Sequence, residues 1–188
     1  MVEGHDDKKF GTKAVHSGTN PVGGGVNTPV FLSSTYHLTE DRYAGWAAGA
    51  QHTMLYSRLS SVNSEAVAAK LVALEGAEDA EVFASGMAAI STTLLGLLSS
   101  GDHIIASSDV YGGTYGLLTQ DLPRFGIEVT MADMRDPSSY EAAIKDNTKM
   151  IYVETLTNPV LKVCDLEAMA NLAKQYDLIS VVDNTFAS

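Results

Sequence analysis

From Ser64 onward the chain reads as alternating blocks of two hydrophobic patterns. The segment SEAVAAKLVALEG places apolar residues at three- and four-residue spacing. It predicts an amphipathic helix, with Asn63 or Ser64 as N-cap and Gly76 past its end. AEVFAS (80–85) is a short apolar run and predicts a buried strand. MAAISTTLLGLLSSG predicts a helix closed near Gly101, and HIIAS a strand. GGTYGLLTQDL reads as helical and IEVTMA as a strand. DPSSYEAAIKD opens a helix with Asp136 as cap and Pro137 at the first helical position. KMIYVET, DLEAMANLAKQY and ISVVDN then read as strand, helix and strand. The strands are apolar runs without a polar face, and helices of about ten residues separate them. That combination predicts an α/β fold with a mainly parallel sheet and helices on both faces.

The first part of the chain, to about Thr53, lacks such periodicity. GTNPVGGGVNTP is dense in turn residues. It predicts an extended arm over residues 1–60, packed on a neighbouring subunit, ahead of a domain over 61–188.

Composition changes this picture only at its edges. The 188 residues are 45% hydrophobic and 19% charged, enough for a sizeable core. The formal net charge of -11 argues against nucleic acid and against anionic membrane surfaces. No apolar run approaches a bilayer-spanning length, and MVEGHDDKKF lacks a signal-peptide core. A lone cysteine, Cys164, excludes an internal disulfide and points to a reducing cytoplasm.

In parallel sheets ligands collect at the carboxyl ends of strands. The residues placed there are Ser85-Gly86-Met87, Tyr111, Glu154 and Asp183-Asn184-Thr185. A glycine at a strand-to-helix turn lets helix amides reach an anion, although an ordinary glycine turn is the commoner reading of the tripeptide alone. Asp183 ends an apolar strand, where a carboxylate needs a partner. A pyridinium nitrogen is one, and the backbone of the next turn is the other. Tyr111, followed by Gly112 and Gly113, can bed a flat ring, act as a catalytic acid or base, or be a half-buried tyrosine. Tyr56 and Arg58 can grip a phosphate or form a solvated pair. Asn158 can donate to a ligand oxygen or serve its Asn-Pro turn. His16, His37, His52 and His103 show no metal-ligand spacing. Cys164, in apolar company, reads as packing.

Taken in order, the segments FGTKAVHSG, TPVFLSSTY, YSR, ALEGAEDAEVFASGMAAI, SGDHIIASSDVYGGTYGLL, YVETLTNP and VVDNTF resemble the Cys/Met-metabolism family of pyridoxal-phosphate (PLP) enzymes. That family includes cystathionine γ-synthase, cystathionine γ-lyase, cystathionine β-lyase, methionine γ-lyase and the homoserine-ester sulfhydrylases. The resemblance implies the large domain of an aspartate-aminotransferase-like fold, in a homodimer or homotetramer. It also implies PLP as cofactor and a sulfur amino acid such as cystathionine, a homoserine ester or methionine as substrate. It places Ser85, Gly86 and Met87 at the phosphate, with Tyr56 and Arg58 reaching it from a neighbouring subunit. Tyr111 would stack on the ring and Asn158 would meet its hydroxyl oxygen. Asp183 would pair with the ring nitrogen, Thr185 would pack behind it and Glu154 would support the cluster.

The sequence departs from the family pattern in three places. Leu59-Ser60-Ser61-Val62-Asn63 stands where an Asn-Pro-Thr turn is usual. Gly113 stands where methionine γ-lyases carry Cys, which favours a cystathionine-type enzyme. The Schiff-base lysine, in a Ser-x-Thr-Lys segment, and the arginine for the substrate carboxylate are expected beyond Ser188. None of Lys8, Lys9, Lys13, Lys70, Lys145, Lys149, Lys162 or Lys174 has the right context, so this chain alone is expected to be inactive.

Overall fold

A computed structural model describes residues 8–20, 24–50 and 53–187. His52 and residues 21–23 of the glycine-rich stretch lie outside them. The chain divides into two compact units, Met1–Phe83 and Ala84–Ser188.

The first unit holds α1 (Phe10–His16), α2 (Glu40–Ala47) and α3 (Val62–Glu75). The N-cap of α3 is Ser61, earlier than Asn63 or Ser64. Its hydroxyl accepts the Ser64 N–H, and the Ser64 hydroxyl accepts the Ser61 N–H, a reciprocal capping box. Asn63 is spent elsewhere. Its side chain accepts the Phe31 N–H and donates to the Pro29 carbonyl, both at 2.9 Å, which ties the TPVF stretch to α3. Gly76 ends the helix in the left-handed conformation, φ 66°, as its position predicted. A Cβ at Gly18 would overlap the Ala66 carbonyl, so the end of α1 rests directly on α3. The sequence places a boundary at residue 60. Compactness places it after Phe83, because α3 packs with the segments before it.

The second unit is a four-stranded parallel sheet in the order β2-β1-β3-β4. The strands are β1 (His103–Ser107), β2 (Glu128–Ala132), β3 (Thr148–Glu154) and β4 (Ile179–Asp183). Its helices are α4 (Gly86–Leu97), α5 (Gly112–Gly116), α6 (Pro137–Glu141) and α7 (Leu166–Gln175). A wider turn over Leu117–Asp121 and a tighter one over Leu122–Phe125 continue α5. Side chains alternate across the central strands. Ile104, Ala106, Met150 and Tyr152 join Leu94, Leu118 and Leu122 in one core. Ile105, Ile151 and Val153 join Tyr140, Met169 and Leu172 in the other, with Cys164 buried among them as packing. Both faces are thus covered, as unbroken apolar strands require.

One predicted element is absent. Residues 80–85 form no strand, and Val82 and Phe83 are about two-fifths exposed. An apolar run becomes a strand only when a neighbour supplies ladder partners for its N–H and C=O groups. Among the described residues none pairs with it.

The amino ends of three strands meet at His103, which is fully buried. Its Nδ1 lies 2.8 Å from the Thr148 hydroxyl and its Nε2 2.8 Å from the Thr130 hydroxyl. Hydroxyls donate or accept, so either neutral tautomer is satisfied. Burial pushes the imidazole pKa below its ordinary 6.5, the Lys145 charge pushes the same way, and Glu128 opposes both. The unfolded chain therefore takes up a proton near pH 6.5 that the folded chain refuses until lower pH. The stability tied to His103 is complete above pH 6.5 and is lost as pH falls below it. His103→Gln keeps hydrogen-bonding capacity without a titrating group. It should cost about 1–3 kcal/mol at pH 7. It should also flatten the drop in urea midpoint between pH 7 and pH 5. An unchanged pH slope would remove His103 as the cause.

Candidate functional site

Strand order reverses between β1 and β3: from β1 the chain crosses to β2 on one side, then returns to β3 on the other. In open α/β sheets that reversal leaves a crevice at the carboxyl ends. The loop after β1 carries Tyr111, β3 ends in Glu154, and β4 ends in Asp183, register partner of Glu154.

Ser85 caps α4. Its hydroxyl accepts the Ala88 N–H at 3.1 Å and its carbonyl the Ala89 N–H at 3.0 Å. The amides of Gly86 and Met87 are the first two of this 12-residue helix and have no acceptor within it. They lie at the positive end of the helix dipole.

Glu154 is buried. Its Oε1 accepts the Tyr111 backbone N–H at 2.7 Å, joining the end of β3 to the loop after β1. Burial raises its pKa and the nearby Asp183 carboxylate adds to that, while the Tyr111 N–H works against both. Asp183 has one donor on each oxygen. The Thr185 N–H reaches Oδ1 at 3.0 Å and the Tyr152 hydroxyl reaches Oδ2 at 3.1 Å. Tyr152 is held among the core side chains. Burial first, and then Asp183, raise its phenol pKa, so it stays a donor. A carboxylate offers about four lone-pair sites, so Asp183 retains capacity for a further donor.

Gly113 lies against the Tyr111 ring. A Cβ there would sit 2.7 Å from Tyr111 Cε1 and 3.0 Å from Met87 Sδ. The absence of a side chain at 113 therefore sets where the half-exposed Tyr111 ring rests.

Most of these groups meet in one cleft of about 230 Å³. Gly86, Met87, Tyr111, Glu154, Asn158, Asp183 and Thr185, all singled out from the sequence, line it. Ile90, Leu156 and Phe186 line it too and were not singled out. Ile90 was legible one helical turn after Gly86 and Met87, on their face of α4. The Tyr152–Asp183 bond had only a weak signal, a phenol inside an apolar strand. Ser85 is spent as the helix cap and does not line the cleft. Tyr56 and Arg58 lie in the first unit, where the guanidinium stands 5.5 Å over the Tyr56 ring. Among the described residues no group of three or more His, Cys, Asp or Glu could hold a metal ion, and no helix is long and apolar enough to cross a membrane.

The family described as Cys/Met metabolism PLP-dependent enzyme matches residues 11–188. The chain belongs to this family. It is 43% identical to cystathionine gamma-lyase of Bacillus subtilis, over 87% of this chain and 41% of that protein. It is 38% identical to L-methionine gamma-lyase of Porphyromonas gingivalis, over 95% of this chain and 46% of that protein. A solved structure from Campylobacter jejuni, which carries N'-pyridoxyl-lysine-5'-monophosphate, superposes with a TM-score of 0.90 at 34% identity. The match covers 96% of this chain and 45% of that one. The chain thus spans about half the length of the curated relatives it matches.

The cleft fits the family's cofactor chemically. Open amides at a helix N-terminus suit a phosphate, a carboxylate with spare lone pairs suits a protonated ring nitrogen, and a half-exposed phenol suits a flat ring. Gly113→Ala should displace the Tyr111 ring while sparing the fold, because the atoms in its way are the ends of movable side chains. Ring stacking is worth about 0.5–1.5 kcal/mol, so affinity for PLP should fall roughly two- to tenfold in an absorbance titration. Gly112→Ala, with open space around its Cβ, is the control and should bind normally. Equal affinity in both variants would show that Tyr111 does not bed the ring.

Proposed function

We propose that this chain forms the cofactor-holding part of a PLP-dependent enzyme that breaks or exchanges carbon–sulfur bonds of amino acids, of the cystathionine γ-lyase or γ-synthase type. The observation that carries this reading is the single cleft in which Asp183, the α4 amides and Tyr111 converge. In this reading the Gly86 and Met87 amides hold the phosphate, and Tyr56 and Arg58 of a neighbouring copy close on it. Tyr111 beds one face of the ring and Thr185 the other. Asn158 donates to the ring's hydroxyl oxygen. Asp183, fixed by Tyr152 and the Thr185 amide, keeps a proton on the ring nitrogen. Glu154 holds the Tyr111 backbone in place. PLP, when bound, supplies an electron sink for charge that develops at the Cα of the amino acid.

The cystathionine type is favoured over a methionine γ-lyase by Gly113, where a Cys side chain would press on Tyr111 and Met87; an O-acylhomoserine sulfhydrylase is the other alternative. The assembly is read as a homodimer or homotetramer in the cytoplasm. Among the described residues no lysine lines the cleft, and Lys162 is paired with Asp109. The 188-residue chain by itself is therefore expected to be silent.

Two measurements test this. The purified chain, supplied with PLP, should turn over neither cystathionine, methionine nor O-acylhomoserines, whereas a version extended through a Ser-x-Thr-Lys segment should turn over at least one. In the extended version, Asp183→Asn keeps the shape but removes the charge. A nearby opposite charge shifts a protonation equilibrium by about one to three units, each worth about 1.4 kcal/mol. We expect kcat/KM to fall at least about a hundredfold with the cofactor still bound. A variant within threefold of the parent would make Asp183 a turn cap only.

A further inference from the structure

We infer that the ion pair between Lys162 and Asp109 is a latch that fixes the two cleft-lining loops against each other, which makes both of them positioning residues for the cofactor. The inference rests on the functional reading above. Lys162 Nζ lies 2.6 Å from Asp109 Oδ2, and both side chains are about three-quarters buried, at 27% and 28% exposure. The other described ion pairs, Arg124–Asp121, Arg135–Asp133 and Lys145–Glu128, are 39% to 79% exposed and 2.8 to 3.6 Å long. Exposed pairs contribute little, while a sheltered pair at this distance is screened much less.

The place of the pair in the fold gives it meaning. Asp109 sits two residues before Tyr111, in the loop after β1. Lys162 sits four residues after Asn158, in the loop after β3. Each loop is stiff within itself. Asp109 N–H donates to the Ser107 hydroxyl at 3.2 Å. In the other loop the Lys162 N–H donates to the Thr157 hydroxyl and the Thr157 N–H to the Lys162 carbonyl, each at 3.0 Å. Leu161, beside Lys162, holds the left-handed conformation at φ 55°, which a leucine adopts only when its surroundings require it. Lys162 directly follows that residue. The latch joins two preformed loops, so its loss changes their spacing more than their shapes. Lys162 also bears on Asp133, and Asp109 on Arg135, so reversing the pair would set like charges against those neighbours. Neutral and conservative variants are therefore the clean test.

The experiment uses the full-length holoenzyme with Asp109→Asn, Lys162→Met, their double variant and Lys162→Arg. It reads PLP affinity, the circular dichroism of the bound cofactor, and hydrogen exchange over residues 109–111 and 157–162. Each neutralising single variant should weaken PLP binding about five- to twentyfold, reduce the cofactor's dichroism and speed exchange in both loops. The double variant should be no worse than the poorer single one, since both remove one interaction. Lys162→Arg should stay within about threefold of the parent. Additive losses in the double variant would overturn the latch, as would single variants within twofold of the parent. If the parent binds no PLP the functional reading fails instead. The exchange rates then decide the latch alone, coupled between the two loops if it exists and independent if it does not.

Discussion

The cleft depends on one constraint: β1 and β3 are buried on both faces, so neither strand can slip by a residue without inverting every side chain it carries. Ile104 and Ile105 point into opposite cores, as do Ile151 and Tyr152. With that register fixed, Glu154 must end β3 beside Asp183 and within reach of the loop after β1. The polar residues of the site are loop and strand-end residues, but apolar packing beneath them sets their positions.

The two carboxylates share this place but differ in surroundings. Glu154 is buried and accepts a backbone N–H, so it acts as a brace for Tyr111. Asp183 is only part-buried at the end of its strand, and each of its oxygens is met by a donor from a different direction. That arrangement holds the carboxylate plane while leaving it able to accept another hydrogen bond. Two acids in one cleft repel each other, and a cationic ring nitrogen beside Asp183 would relieve that repulsion.

The relatives act on different sulfur amino acids, and the chain spans about half their length. In the proposed reading the groups on this half would deal with a phosphate, a ring and a ring nitrogen, which serve every member of a family alike. Substrate choice needs groups that contact the amino acid, and Gly113 bears on the cleft only indirectly, through the space beside Tyr111 and Met87 that it leaves free.

The sequence by itself determined the alternation of strands and helices, the capping of α6 by Asp136 and the end of α3 at Gly76. It also singled out Gly86, Met87, Tyr111, Glu154, Asn158, Asp183 and Thr185, which line one cleft. These are local or periodic properties: a cap is spelled out within four residues, and strand ends fall where apolar runs stop. Tertiary structure decided the rest. Residues 80–85 have the composition of a strand, but a strand exists only with a partner, and no residue inside the segment encodes one. Asn63 looked like a cap and became a tie to Pro29 and Phe31, because Ser61 was equally able to cap and the 29–31 stretch lay within reach. Tyr152 meeting Asp183, and Lys162 meeting Asp109, are contacts between residues 31 and 53 positions apart. Spacing along a chain says nothing about such pairs, because the order in which strands enter the sheet brings them together.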